Sequence, residues 1–247
     1  AWCTPATTSM PTALRPEACD WKGTGWRAVE AQHKNATIAL VKGNAAEQAA
    51  LEDIIESVKP PLPPDAQGLH FLLSTPFRYL PRPPAGSRFR GRFDPAVFYG
   101  AEDIATACAE SGYWRLRFWL DSEALSARAA SMQMTLFEFH GATRALLDLT
   151  EPPLKAKRKA WTRPDDYAAT QALARQAREE GIEVIRSESV RNSPQGRCLA
   201  ILTPHVFKAM RNPYRNRQQT WHLYLQPPGL ALWQRSLDGA QHRFEFA

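Results

Sequence analysis

Phe77-Arg78-Tyr79, Gly86-Ser87-Arg88-Phe89, Val97-Phe98-Tyr99 and Thr106-Ala107-Cys108-Ala109-Glu110 follow one another between positions 77 and 110. Arg88, Tyr99 and Glu110 stand at intervals of eleven and eleven residues. The apolar run Ala96–Tyr99 reads as a short strand. Residues 102–112 read as a helix with Glu102 and Asp103 in its first turn, where the helix dipole favours carboxylates. On that helix Ile104, Ala107, Cys108 and Ser111 form the packed stripe. Glu110 lies off it, beside Thr106 and Trp114.

Upstream, His70–Leu73 reads as another short strand. Before it, Pro60-Pro61-Leu62-Pro63-Pro64 makes a stiff, extended connector. A helix precedes the prolines: Asn44 and Glu47 have capping-box spacing, and Leu51, Ile54, Ile55 and Val58 recur as one apolar stripe. Trp2, Trp21 and Trp26 are expected to be packing aromatics, though residues 1–43 show no clear period. The boundary of an N-terminal appendage, residues 1–64, is placed at the prolines, with residues 65–247 as the main domain. Downstream, Met134–Phe139 alternates apolar with polar, and Leu146–Leu149 reads as a strand. A helix capped by Asp165 runs to about Glu180 and stops at Gly181. Strand-like runs follow at 183–186, 198–202, 220–225 and 230–235. Strands and helices alternate irregularly, which favours an α+β fold with a mixed sheet over a doubly wound one.

Across 247 residues, 44% hydrophobic and 23% charged, the composition is that of a globular chain able to bury a core. The net charge of +6 permits an acidic partner, an anionic ligand or nucleic acid and selects none of them. No apolar run approaches the roughly 18 residues of a membrane span. Residues 1–5 lack the layout of a signal peptide. Cys3, Cys19, Cys108 and Cys198 form no C-x-x-C pair. Reduced thiols in a cytoplasmic protein are expected.

No hydrolase elbow, zinc-protease motif, phosphate-binding loop or dinucleotide fingerprint is present. The six histidines are scattered, and no metal is expected. Residues 155–163, Lys-Ala-Lys-Arg-Lys-Ala-Trp-Thr-Arg, hold five cations and one Trp. Such a run either tracks a nucleic-acid backbone or is a solvated loop between a strand and a helix.

Together with Ser187-Glu188-Ser189-Val190-Arg191, the series from Phe77 to Glu110 resembles the RES domain. In that family an Arg-Tyr pair opens the domain and a G-G-R-W-like segment follows. A strand ending in Tyr comes next, then a helix carrying A-x-x-E, and a Ser-Val or Ser-Ala step near the end. The resemblance covers roughly residues 70–210. Here Ser87 replaces the second glycine and Phe89 the tryptophan. Arg90 and Arg92 therefore compete with Arg88 for the family's role, and Ser187 competes with Ser189.

The resemblance implies a fold like that of the ADP-ribosyltransferase toxins and an NAD⁺-consuming catalytic domain over residues 65–247. It implies the toxin of a bacterial type II toxin–antitoxin system that cleaves the nicotinamide–ribose bond, by hydrolysis or phosphorolysis. The alternative is an ADP-ribosyltransferase with a protein acceptor. An Xre-type antitoxin is the implied partner, and nucleic acid is met only through it. The cleavage passes through an oxocarbenium-like sugar. Nicotinamide leaves neutral and needs no general acid. A carboxylate near the ribose stabilises the developing charge, a role that falls to Glu110 unless it is an ordinary exposed helix glutamate. Arg78 and Arg88 suit the pyrophosphate, because a guanidinium offers paired, fixed donors. Tyr79 and Tyr99 offer flat faces for the rings of NAD⁺ unless they are core aromatics. Ser189 is expected to contact NAD⁺ by hydroxyl or backbone rather than as a nucleophile. Arg78, Arg82, Arg88, Arg90 and Arg92 would attract an acidic chain end of the antitoxin.

Overall fold

The sheet closes on itself at one side. A computed structural model of the chain describes residues 13–31, 40–79, 86–192, 196–208 and 217–246. Among them eight strands are β1 (Ala18–Glu30), β2 (Phe98–Ala101), β3 (Ala130–Asp148), β4 (Val184–Glu188), β5 (Arg197–Ile201), β6 (Gln218–Gln226), β7 (Leu230–Arg235) and β8 (Gln241–Glu245). Their order is β1-β2-β5-β4-β3-β6-β7-β8, and β1 also pairs with β3. Five strands therefore form a ring, from which β6, β7 and β8 extend as an antiparallel meander. The β3–β4 pair is parallel and the other pairs are antiparallel. The fold is α+β with a mixed sheet, as the irregular alternation of elements predicts. Trp2, Cys3 and Arg82 lie outside the described residues.

β3 makes this arrangement possible. One edge of its 19 residues pairs with β1 from Met134 to Leu147. The other edge is shared, with β6 along Ala130–Phe137 and β4 along Leu146–Asp148. The two sequence-predicted strands at 134–139 and 146–149 are thus one strand. Side chains from all five ring strands meet in one apolar cluster. Phe98, Phe137, Phe139, Leu146, Val184, Leu199 and Ile201 are its centre, with Trp21 and Val29 of β1 at its margin. Phe139 stands edge-on to Phe98 and Phe207, with centroids 4.9 and 5.8 Å apart. Its ring occupies the space beside Gly25 and Gly100, where added Cβ atoms would lie 2.4 and 2.5 Å from it. Those two positions must lack side chains for β1 and β2 to pass over the ring.

Among the described residues six α-helices accompany the sheet: α1 (Ala45–Ser57), α2 (Phe71–Arg78), α3 (Ile104–Leu120), α4 (Arg158–Trp161), α5 (Ala168–Glu179) and α6 (His205–Lys208). α3 packs on the meander through Cys108 and Leu116, against Met134, Trp221, Leu223 and Trp233. In β6 strict alternation buries Trp221, Leu223 and Leu225. α5 covers β3, β4 and β5 through Leu173, Ala174 and Ala177.

Several expectations are corrected here. His70–Leu73 is the start of α2, not a strand: the His70 ring accepts the Leu72 N–H at 3.3 Å and caps it, and Leu73 and Phe77 face the ring cluster at helical spacing. α1 has its predicted cap, with Asn44 Oδ1 accepting from Ala46 and Glu47 and Asn44 Nδ2 donating to Glu47. Its apolar stripe is not packed, since no residue of α1 is buried and Ile54 is 61% exposed. α5 ends at Gly181 as predicted, but Asp166, not Asp165, accepts the Ala168 N–H at its start. The boundary at residue 64 does not isolate the N-terminal segment, because β1 lies before it and pairs along most of β3. Leu14 is also fully buried among α5-facing residues.

Candidate functional site

Period-2 alternation puts Tyr99 and Ala101, Cys198 and Ala200, and Ile185 and Ser187 on one face of β2, β5 and β4. The register aligns Ala101 with Cys198 and Cys198 with Ser187. This row of small side chains leaves a hollow, a cavity of about 270 Å³. Ala107, Glu110, Ser111 and Trp114 of α3 line it, as do Trp26 and Arg27 of β1, Arg88, Tyr167 and Arg191.

α3 is aimed into this hollow by its cap. Asp103 accepts the Thr106 N–H at 2.8 Å and the Thr106 hydroxyl at 2.6 Å. Thr106 Oγ1 in turn accepts from Asn192 at 3.0 Å, fastening α3 to the turn after β4. The buried face of α3 is Thr106, Ala107, Cys108, Ala109, Gly112, Tyr113 and Leu116. Ser111, expected in the packed stripe, lines the cavity instead.

Glu110 is half-buried at the cavity wall. Its Oε1 accepts from Ser189 Oγ at 2.6 Å and lies 3.6 Å from Cys198 Sγ. Among the described residues, Oε2 accepts no hydrogen bond. Burial and the Glu110 charge push the Cys198 thiol well above its ordinary range, so it stays protonated and donates. The Ser189 hydroxyl also accepts the N–H groups of Arg191 and Asn192, at 3.2 and 2.9 Å. All its hydrogen-bonding capacity is used, so Ser189 orients Glu110 and shapes the turn. Ser187 differs: its Oγ is buried without a partner among the described residues, and its residue lines the cavity. Ser189→Ala would leave the Arg191 and Asn192 amides short of an acceptor, at about 1–3 kcal/mol. Urea unfolding of the variant is expected to show that loss, and an unchanged midpoint would contradict the assigned role.

Arg88 is held on three sides. Its Nη1 donates to the carbonyls of Trp161 and Arg163 at 3.0 and 2.9 Å, and its guanidinium lies 5.0 Å from the Tyr167 ring centroid. Ser87, the departure from the second glycine, shares a 2.7 Å hydrogen bond with the Tyr99 hydroxyl. That hydroxyl also accepts the Phe89 N–H at 3.0 Å. Tyr99 thus fixes the Arg88 turn by its hydroxyl while lining the cavity. Burial raises its phenol above the ordinary value, so it stays neutral.

Arg88, Tyr99 and Glu110 therefore meet in one cavity, with Ser189 directly behind Glu110. Arg78 and Tyr79 do not join them. They line a separate depression with Phe77 and Arg90, and Arg78 pairs with Glu56 at 2.6 Å. Arg90 is 8% exposed and donates to the carbonyls of Tyr79 and Asp94, while the exposed Arg92 stands over Phe93. Of the three competing arginines, Arg88 is the one in the cavity. Among the described residues the expected arginine cluster divides: Arg78 and Arg90 share the depression, Arg88 lies in the cavity and Arg92 is exposed. Sequence reading gave no role to Arg27, Arg191, Tyr167 or Trp114. Arg27 lies in the stretch without a period, and Arg191 stands out in sequence only as the last residue of the serine motif.

The basic run is a corner behind the cavity. Trp161 is 2% exposed, with its indole N–H on the Leu154 carbonyl, and is not available for base stacking. Arg158 pairs with Glu188, and Arg163 with Asp166. By contrast, Arg27, Arg88 and Arg191 have no carboxylate in ion-pair range among the described residues. Among those residues no group of three or more His, Cys, Asp or Glu is gathered to hold a metal ion, and no helix is long and apolar enough to cross a membrane. Cys19, Cys108 and Cys198 are free thiols.

A family model described as the RES domain matches residues 62–226. That segment holds Arg88, Tyr99, Glu110, Ser187 and Ser189. No curated protein matches the chain. Among solved structures, a chain in the crystal structure of the M. tuberculosis MbcT–MbcA toxin–antitoxin complex is similar. It is 13% identical, with a TM-score of 0.43 over 85% of this chain and 87% of that one.

Proposed function

The chain belongs to the RES domain family, and from that premise we propose that it is the toxin of a type II toxin–antitoxin pair, one that breaks the nicotinamide–ribose bond of NAD⁺. The observation that carries the reading is the charge pattern of the cavity. Three guanidiniums without carboxylate partners among the described residues, Arg27, Arg88 and Arg191, share it with the oriented carboxylate of Glu110. Glu188, the other acid of the lining, is neutralised by Arg158. Such a site suits a ligand with a doubly anionic portion and a centre that becomes cationic during reaction.

In the proposed reaction the C–N bond to nicotinamide breaks and the base leaves neutral with the bonding electron pair. Glu110 stabilises the positive charge growing on the ribose. Water or phosphate then forms the new bond at the same carbon, and water's proton passes to solvent. A carboxylate fixed beforehand by Ser189 and Cys198 pays no reorganisation at that moment. Arg88 holds pyrophosphate oxygens, and the Tyr99 and Tyr167 faces border the bound rings. The Ser187 hydroxyl, without a partner among the described residues, finds one on the ligand. An acidic end of an Xre-type antitoxin would compete for the same guanidiniums.

The experiment is induction of the chain in growing bacteria with measurement of the NAD⁺ pool. The expected result is a collapse of NAD⁺ together with growth arrest, both absent when the antitoxin is co-expressed. Lysate from such cells should contain ADP-ribose, or its phosphate ester if phosphate is the acceptor. Growth arrest with an intact NAD⁺ pool and ADP-ribose attached to protein would support the second reading, an ADP-ribosyltransferase, which uses the same cavity.

A further inference from the structure

β8 lies beyond residue 226, where the family match ends, yet a row of rings on it leads to the cavity. His242, Phe244 and Phe246 alternate onto one face. The row starts on the buried Trp221, with centroids 5.4 Å apart to His242, then 6.4 Å to Phe244 and 6.2 Å to Phe246. It ends on α3, where Phe246 stands 5.4 Å from Tyr113 with the ring planes 82° apart. α3 lies this close to the meander because position 112 is glycine. An added Cβ there would be 3.0 Å from the Trp233 indole nitrogen and 3.2 Å from Ala231 Cβ. The Phe246 N–H donates to the Gly229 carbonyl at 2.9 Å, which pins the end of the row to the turn between β6 and β7.

Tyr113 is buried and does not line the cavity, but its ring carries a residue that does. The Arg191 guanidinium lies 3.4 Å from the Tyr113 centroid, where the ring quadrupole attracts a cation. Among the described residues the Arg191 side chain makes one hydrogen bond, from Nη2 to the Pro164 carbonyl at 3.0 Å. An arginine without such a rest samples many rotamers, and ordering it on binding costs affinity. We propose that Tyr113 and Phe246 are positioning residues: the aromatic row of β8 fixes the Tyr113 ring, and that ring holds the Arg191 guanidinium ready for a phosphate-bearing ligand. The inference rests on the proposed NAD⁺ reading for the identity of the ligand. It gives β8, none of whose described residues lines the cavity, a task in binding.

The test is calorimetric titration of the full chain and its variants with ADP, with inorganic pyrophosphate and with nicotinamide. Tyr113→Leu should raise the Kd for ADP about fivefold or more, the scale of a desolvated cation–π contact. Tyr113→Phe keeps the ring and should stay near the wild type. Phe246→Leu keeps apolar bulk without the ring and should weaken ADP about threefold, the scale of one aromatic pair. Nicotinamide, which carries no phosphate, should bind as before. A purely structural role would act in any background, so Phe246→Leu is repeated in Arg191→Met, where it should have no further effect on ADP. An equal loss with and without Arg191 overturns the proposal, as do wild-type ADP affinity in folded Tyr113→Leu and a wild type that binds neither ADP nor pyrophosphate. If Arg191→Met binds too weakly to measure, or Phe246→Leu does not fold, the Tyr113 pair decides, and equal losses in its two variants overturn the proposal. ADP binding that depends on Phe246 through Arg191, in a protein that never releases nicotinamide from NAD⁺, would keep the positioning role and defeat the proposed reaction. Nicotinamide release with an unaltered KM in Tyr113→Leu would do the reverse.

Discussion

Glu110→Gln is expected to lower the rate of nicotinamide release on the order of 10²–10³-fold, the usual cost of removing one preorganised electrostatic stabiliser. Gln keeps the length and shape of Glu and still presents an oxygen to Ser189 and Cys198, so the wall of the cavity stays in place. What disappears is the negative charge. That charge matters little to bound NAD⁺ and most when the ribose becomes cationic, so kcat should fall with KM nearly unchanged. Arg88→Ala provides the contrast. The pyrophosphate is charged in ground and transition states alike, so this variant should lose affinity first. A Glu110→Gln protein with full turnover would make Glu110 an ordinary helix residue and remove the basis for the proposed mechanism.

The largest effect on stability is expected at Phe139. Its ring is fully buried, meets Phe98 and Phe207 edge-on, and fills the space left by Gly25 and Gly100. Phe139→Ala removes the ring where strands β1, β2 and β3 must stay apart by their own hydrogen bonding, so the cavity cannot collapse fully. Such truncations cost about 3–5 kcal/mol, against a total of about 5–15 kcal/mol for a typical domain. Denaturant unfolding should show the midpoint falling accordingly. A loss under about 1 kcal/mol would mean that the ring of strands is held by something other than this cluster.

The parts of the fold that were legible are those with a local signal. β6 alternates strictly, α5 has a stop at Gly181, and α1 has a capping box at Asn44 and Glu47, so each was found within a few residues. β1 was not found, because most of its side chains are half-buried and Gly25 serves Phe139, more than a hundred positions away. The α1 stripe shows the opposite error: an apolar period at Leu51, Ile54, Ile55 and Val58 fixes the helix but does not say what, if anything, will cover it. His70–Leu73 was misread because four apolar or aromatic residues carry no period, and the cap that makes them helical is a histidine.

The candidate site divides in the same way. The even spacing of Arg88, Tyr99 and Glu110 reflects a turn, a strand and a helix in immediate succession, and those three meet in one cavity. Arg78 and Tyr79 stand close to Arg88 in sequence but on the far side of the Arg90 clamp, which short-range spacing does not reveal. The choice between Ser187 and Ser189 needed the end of β4: Ser187 lies on the strand with its hydroxyl toward the hollow, whereas Ser189 lies just past the strand's last residue and its hydroxyl is consumed by Glu110 and two amides. Arg27 needed the closure of the ring, which no local pattern encodes.

The most direct measurement is quantification of nicotinamide by liquid chromatography after purified wild type and Glu110→Gln are each incubated with NAD⁺. The account predicts multiple turnovers of nicotinamide from the wild type, a loss of about 10²–10³-fold in the variant, and similar NAD⁺ affinity in both. No nicotinamide from a folded, NAD⁺-binding wild type, or equal release from the two proteins, would contradict it.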